Sequence, residues 1–189
     1  MATALSSPFD FDQPSVPRAR DVATLSDPAV SAIFAYWNSK RGTRRMPSRA
    51  DLDPVELRSL VNNIRLFDVV QPDVAAFGPR YRVRLVGRDI VAFDGRNTAG
   101  KWIGEGRPPD IAAQVNEVLT SIVTGGAPRF RAGPVYWSRD KSYRRFESCF
   151  LPLSPDNNRV NMILNAVSFA PLRARRQNAT PSVLSNGGS

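Results

Sequence analysis

Arg80-Tyr81-Arg82-Val83-Arg84-Leu85-Val86, followed by Gly87, is the stretch whose pattern decides the fold. Tyr81, Val83 and Leu85 alternate with Arg80, Arg82 and Arg84, and a period of two sends the two sets to opposite faces of one strand. This predicts a half-buried antiparallel strand with its three arginines on a solvated face. Upstream, Ile64 to Val70 reads as the strand that pairs with it, and Gln71 to Gly78 as the hairpin connection. Downstream, glycines break the stretch from Gly87 to Gly106 into short helical turns anchored by Ile90, Val91, Phe93 and Trp102. Pro108 to Thr124 carries Ile111, Val115, Val118, Leu119 and Ile122 on one helical stripe and stops at Gly125-Gly126. Three further strands are expected at about Arg129 to Trp137, Tyr143 to Leu153 and Val160 to Phe169, with turns at Ser138–Ser142 and Pro155–Asn158. Two hairpin strands, a helical crossover and three more strands predict an α+β domain, a five-stranded antiparallel sheet with helices packed on one face.

Ahead of this unit stands a helix. Asp27 is a natural N-cap, Pro28 suits the first helical position, and Val30, Ile33, Phe34 and Trp37 fall on one stripe before Gly42. Asp53-Pro54 marks a second start, of a short helix carrying Leu57, Leu60 and Val61. Residues 27–170 thus read as one domain, between tails at 1–26 and 171–189 whose composition predicts disorder, the second of them basic. Asn178-Ala179-Thr180 in the second tail matches a glycosylation sequon, which carries no weight without a secretion signal.

Composition removes several chemistries. The 189 residues contain no histidine, so Ser-His-Asp and Cys-His catalysis and a His-ligated haem are disfavoured, and the commonest transition-metal ligand is missing. The one cysteine, Cys149, lies in a strand and reads as a buried, inert thiol that can form no internal disulfide. No signal peptide and no apolar run of membrane-spanning length is present, which makes the cytoplasm the expected location. A net charge of +9 points to acidic partners or nucleic acid. Nearly all the cations are arginines, an imbalance that a GC-rich genome produces whatever the function.

The residues in this order resemble the PAS family, in particular the single-domain PAS proteins typical of alphaproteobacteria. The likeness rests on Tyr36-Trp37, Arg41-Gly42, Arg45-Met46-Pro47-Ser48-Arg49-Ala50-Asp51, Asp53-Pro54 and Tyr81-Arg82-Val83-Arg84-Leu85-Val86-Gly87. Gly95-Arg96, Gly100-Lys101, Leu151-Pro152-Leu153-Ser154 and Met162-Ile163-Leu164 continue it. Asn97 and Ala99 depart from the pattern, where Asp and Thr are more usual. The resemblance implies a bacterial sensor that acts without turnover. A small molecule or an empty core would lie between the glycine-punctuated turns, the long helix and the sheet, and signalling proteins would read the result in trans. It also implies pairing through the amino-terminal helix, which assigns Val30, Ile33, Phe34 and Trp37, with Arg41, Arg44 and Arg45, to a homodimer or partner contact. A Cys-adduct flavin is disfavoured, because Cys149 is far in sequence from the turns where relatives carry that cysteine.

Other motifs have plain readings. Gly95 to Lys101 fits the start of a phosphate-binding loop, but Trp102 stands where Ser or Thr should hold magnesium. Asp89, Asp94 and Glu105 suit turns and caps. No metal-ligand spacing is present. The residues expected to line a cavity for a small apolar ligand are Phe93, Trp102, Val115, Leu119, Phe130, Phe146, Phe150, Met162 and Leu164. Two basic clusters, Lys40 to Arg49 and Arg139 to Arg145, favour acidic partners and leave an Arg-rich nucleic-acid-binding protein as the alternative. The expectation is a non-enzymatic sensory and signalling module working by protein contact.

Overall fold

Every strand of the sheet runs antiparallel to its neighbours, and what each strand buries follows from which of its residues point to which side. The structure, a computed structural model, describes residues 20–71 and 78–171. In chain order it contains β1 (Arg20–Asp21), α1 (Pro28–Arg41), β2 (Ile64–Val70), β3 (Arg80–Val86), α2 (Arg88–Asp94), α3 (Pro109–Gly125), β4 (Arg129–Pro134), β5 (Arg144–Leu153) and β6 (Met162–Pro171). The strands form one sheet in the order β1-β4-β5-β6-β2-β3. The α+β class and the β2–β3 hairpin are as expected. Parts of the expected tails, 1–19 and 172–189 with Arg173, Arg175, Arg176 and the sequon, and most of the hairpin connection, 72–77, lie outside the described residues.

The sheet has six strands, one more than expected. The extra strand, β1, falls within the segment read as a disordered tail. It pairs with β4, where Val22 donates its backbone N–H to Phe130 O at 3.0 Å. Asp21 forms ion pairs with Arg129 and Arg131. A second difference lies after Asp53-Pro54, where the chain makes turns and then a 3-10 helix, Val61–Asn63, and no α-helix. Its hydrogen bonds close over three residues, as in Leu60 N–H to Leu57 O at 2.8 Å, and Val61, Asn62 and Asn63 are weak helix formers.

The amino-terminal helix, expected ahead of the sheet unit with no face assigned to it, packs on the side away from α3. Successive side chains of a strand point to opposite faces. On β5, Phe146, Ser148 and Phe150 turn towards α3, whereas Glu147 and Cys149 turn towards α1. Glu147 accepts from Ser26 N and Asp27 N at 2.6 and 2.8 Å, at the start of α1, and Cys149 Sγ lies 3.9 Å from Val30 O. Helix α1 therefore covers the face opposite α3. Asp27 caps it, accepting from Ala29 N and Val30 N at 3.0 and 3.1 Å. Its stripe is consumed within the chain: Val30, Ile33 and Trp37 are buried, Phe34 meets Phe130 edge to face at 4.9 Å, and Trp37 Nε1 donates to Pro152 O at 2.9 Å. The apolar stripe assigned to a dimer contact already has its partner, the chain's own sheet.

The alternation of β3 breaks at one point. Phe67 pairs with Val83, but Leu66 pairs with Leu85, so a bulge between Leu66 and Phe67 intervenes. Leu85 is turned with Leu66 to the outer face, away from Val83, and stays 37% exposed. Just beyond it the chain turns at Gly87, whose N–H donates to Ile64 O at 2.7 Å. A Cβ at Gly87 would lie 2.2 Å from Asn62 O and 2.4 Å from Val61 O, both backbone atoms that cannot swing aside. Gly87→Ala is expected to lower the free energy of unfolding by about 1–3 kcal/mol or more through overpacking. Gly125→Ala, which meets nothing within 4 Å, should leave it unchanged or raise it slightly. Urea unfolding of the two variants measures the contrast.

Candidate functional site

The face of the sheet under α3 carries Arg65 and Phe67 from β2, Val83 from β3, Phe146, Ser148 and Phe150 from β5, and Asn165, Val167 and Phe169 from β6. Ile111, Val115 and Val118 of α3 roof it, and the segment from Thr98 to Arg107 closes one side. These residues enclose an inner chamber of about 80 Å³. A second chamber of about 220 Å³ adjoins it, with Arg107, Ile111 and Trp137 in the walls of both. Phe93, Asp94, Arg96 and Lys141 line the second chamber.

Of the nine residues expected to line the cavity, Trp102, Val115, Phe146 and Phe150 do so. Phe93 lines the second chamber, stacked on Phe169 with ring centroids 3.6 Å apart. The remaining four lie elsewhere. Leu119 is fully buried in the core, and Phe130 packs on Phe34 of α1. Leu164 lines a groove on the outer face, and Met162, two residues before it, shares that face. The reason is register. Phe150 pairs with Asn165 and Cys149 with Ala166, so the even-numbered residues of β6 turn away from the chamber.

The chamber also has polar members that apolar patterning missed. Asp94, its side chain 5% exposed, forms ion pairs with Arg65 and, at 3.6 Å, with Arg107. Burial holds the Arg65 guanidinium down to about 10, against the opposing pull of Asp94, and lowers Arg107 in the same direction. Asp94 is thus the centre of a buried ionic cluster, beyond the turn role expected of it. One signal was available: Arg65 sits between Ile64 and Leu66 in an apolar strand, at the same parity as Phe67.

Gly95 to Lys101 is no phosphate loop. It lies along β3, with Gly100 N donating to Val83 O at 2.7 Å and Val83 N to Lys101 O at 2.9 Å, and no helix follows. Asn97 Oδ1 accepts from Ala99 N at 2.9 Å, closing a turn between the two positions that depart from the family pattern. Glu105 Oε1 accepts from Trp102 N at 3.0 Å, and Arg80 stacks over Trp102 at 4.2 Å.

The basic clusters are largely tied to the chain itself. Arg41 reaches Asn38 Oδ1 at 2.8 Å and Arg44 O at 2.9 Å. Arg44 pairs with Asp51 at 3.0 Å and donates to Lys40 O at 2.7 Å, and Arg45 donates to Gly125 O at 3.4 Å. The backbone N–H of Ser48, with Arg44, draws the Asp51 carboxyl down to about 2. In the second cluster Lys141 reaches Phe93 O and Arg144 reaches Phe169 O at 3.0 Å. The side chain of Arg139 lies outside the described residues. Among the described residues no His, Cys, Asp and Glu side chains gather in threes as metal ligands, and no helix is long and apolar enough to cross a membrane.

A family model described as PAS domain matches residues 25–168. No curated protein and no solved structure matches the chain.

Two outcomes are expected. Replacing Asp94 by Asn leaves two buried guanidinium groups without their countercharge and should cost about 3–5 kcal/mol, read from urea unfolding. Cys149 is fully buried, and burial pushes its thiol up to about 12 from an ordinary 9.0. A thiol reagent at pH 8 should therefore label it only as fast as the chain unfolds. The unfolded thiol ionises near 9 and the folded one does not, so the stability that depends on this thiol is complete below pH 9 and fades towards about 12. The gap in unfolding free energy between wild type and Cys149→Ala should shrink over that window.

Proposed function

Because the chain belongs to the PAS domain family, whose members are sensory and signalling modules, we propose that it is a non-enzymatic sensor that holds a small ligand and reports it by contact with a signalling protein. One observation carries this reading: the two faces of the same strands serve two different openings. Phe67 and Asn165 line the inner chamber, and their chain neighbours Leu66 and Leu164 line an apolar groove of about 280 Å³ on the outer face. A ligand that shifts β2 or β6 on one side shifts the groove on the other, with no relay between them.

The groove is completed by Leu52, Leu57, Ile64 and Leu85, with Arg49 and Arg58 among its lining residues. Val55, near its edge, is 67% exposed. Those arginines suit a partner segment that is apolar along its length and flanked by Asp or Glu. On this reading the acidic partner docks on the outer face of the sheet. The α1 stripe is already buried, and Arg41 and Arg44 are occupied in holding the turn after α1.

Affinity capture of full-length protein from its host, run beside Leu85→Asp and Arg58→Glu, tests the reading. A signalling protein retained by wild type and lost from both variants is the expected result. Equal retention by all three overturns the outer groove as the contact.

A further inference from the structure

The wall between the two chambers carries an unbalanced charge. Among the described residues, Asp94 is the carboxylate that forms ion pairs with Arg65 and Arg107, whose side chains are 17% and 15% exposed. Arg96, which donates to Gly106 O at 2.7 Å, adds its positive field to both. The Nε of Arg65 is buried and has no hydrogen-bond partner. An unmade bond of this kind costs about 1–3 kcal/mol, and a buried surplus charge costs more. Arg65 and Arg107 line the inner chamber, whose other walls include Phe67, Val83, Val115 and Phe150 together with Glu105, which is held to Trp102 N.

We propose that the two chambers together bind a short-chain aliphatic carboxylate, its headgroup on Arg65 and Arg107 and its alkyl body in the inner chamber. The proposal rests on the reading of the domain as a ligand-holding sensor and names the ligand's chemistry. One negative charge offsets part of the surplus of Arg65, Arg96 and Arg107 over Asp94. Arg65, which lines the inner chamber, and Arg107, which lines both, supply the two cations that a carboxylate pairs with. Size limits the body. An apolar cavity of about 150 Å³ suffices for benzene. The inner chamber, at about 80 Å³, takes an alkyl chain of a few carbons and leaves the headgroup beside Arg107, which lines both chambers. Inorganic phosphate carries the charge and lacks the body.

The test titrates the full-length protein with pentanoate, with 1-pentanol and with inorganic phosphate. Binding is read by calorimetry and by the fluorescence of Trp102 and Trp137, which line the inner chamber. Pentanoate should bind more tightly than 1-pentanol by about tenfold or more, the worth of one charge-assisted hydrogen bond, and phosphate should not displace it. Arg65→Met should erase that preference. Because this variant can fail to fold, Val115→Phe serves beside it: it fills the inner chamber, leaves the ionic cluster in place and should abolish pentanoate binding without lowering the melting temperature. Equal affinity for acid and alcohol, displacement by phosphate, absence of saturable pentanoate binding, or pentanoate binding unchanged in Val115→Phe each overturns the proposal. Partner capture sensitive to Leu85→Asp would in that event still support the sensor reading, so the two failures are separable.

Discussion

Strand β5 is covered on both sides, and most of the molecule follows from that. Its residues at one parity, Phe146, Ser148 and Phe150, belong to the chamber under α3. Those at the other parity, Glu147 and Cys149, hold the start of α1 and the backbone beside it. A strand buried on one side alone would leave α1 nothing to cover and its stripe exposed to a second chain. Here the stripe instead completes a three-layer core, in which Trp37 Nε1 donates to the Pro152 carbonyl. The loss of water from Val30, Ile33 and Trp37 is large, about 1.5–3 kcal/mol for each aliphatic side chain by transfer.

Much of this was legible from pattern. The hairpin of β2 and β3, the long helix and the order of the strands follow from periods of two and of three to four with glycine and proline as punctuation, which are local properties. The lining of the chamber was legible only in part, because it depends on register. Whether Phe150 or Cys149 faces α3 cannot be decided from a run such as Phe-Glu-Ser-Cys-Phe-Leu-Pro-Leu, where both parities hold apolar residues. Met162 and Leu164 are displaced for that reason. The bulge opposite Leu85 is invisible for a related one: the residues around it alternate perfectly, and only the pairing partner shows that one of them has been turned over. Strand β1 is two residues long, and its ion pairs span more than a hundred positions.

The arginine content takes on a different meaning once each cation is placed. Charge that reads as an electrostatic surface in composition is partly structural material. Arg41, Arg44, Arg45 and Arg144 donate to backbone carbonyls where helices and strands end, satisfying acceptors that regular structure leaves open. Arg65 and Arg107 are interior. Guanidinium groups suit these tasks better than ammonium groups, since a planar fork keeps its geometry with little entropy to lose. The interior pair, Arg65 and Arg107, is withdrawn from the surface that a net charge of +9 suggests.

The two-residue strand at the start of the described chain has a further consequence. Sheets end in rows of unpaired backbone donors and acceptors, and such rows invite another chain to add itself as a strand. Here β1 occupies part of the free side of β4, while the segment from Gly100 to Ile103 takes the free side of β3 through bonds to Val83 and Tyr81. With its borders occupied in this way, the sheet offers visitors side chains, not a ladder to extend. That favours recognition by composition over recognition by backbone, and it protects a strand-rich domain from stacking edge to edge with its own copies.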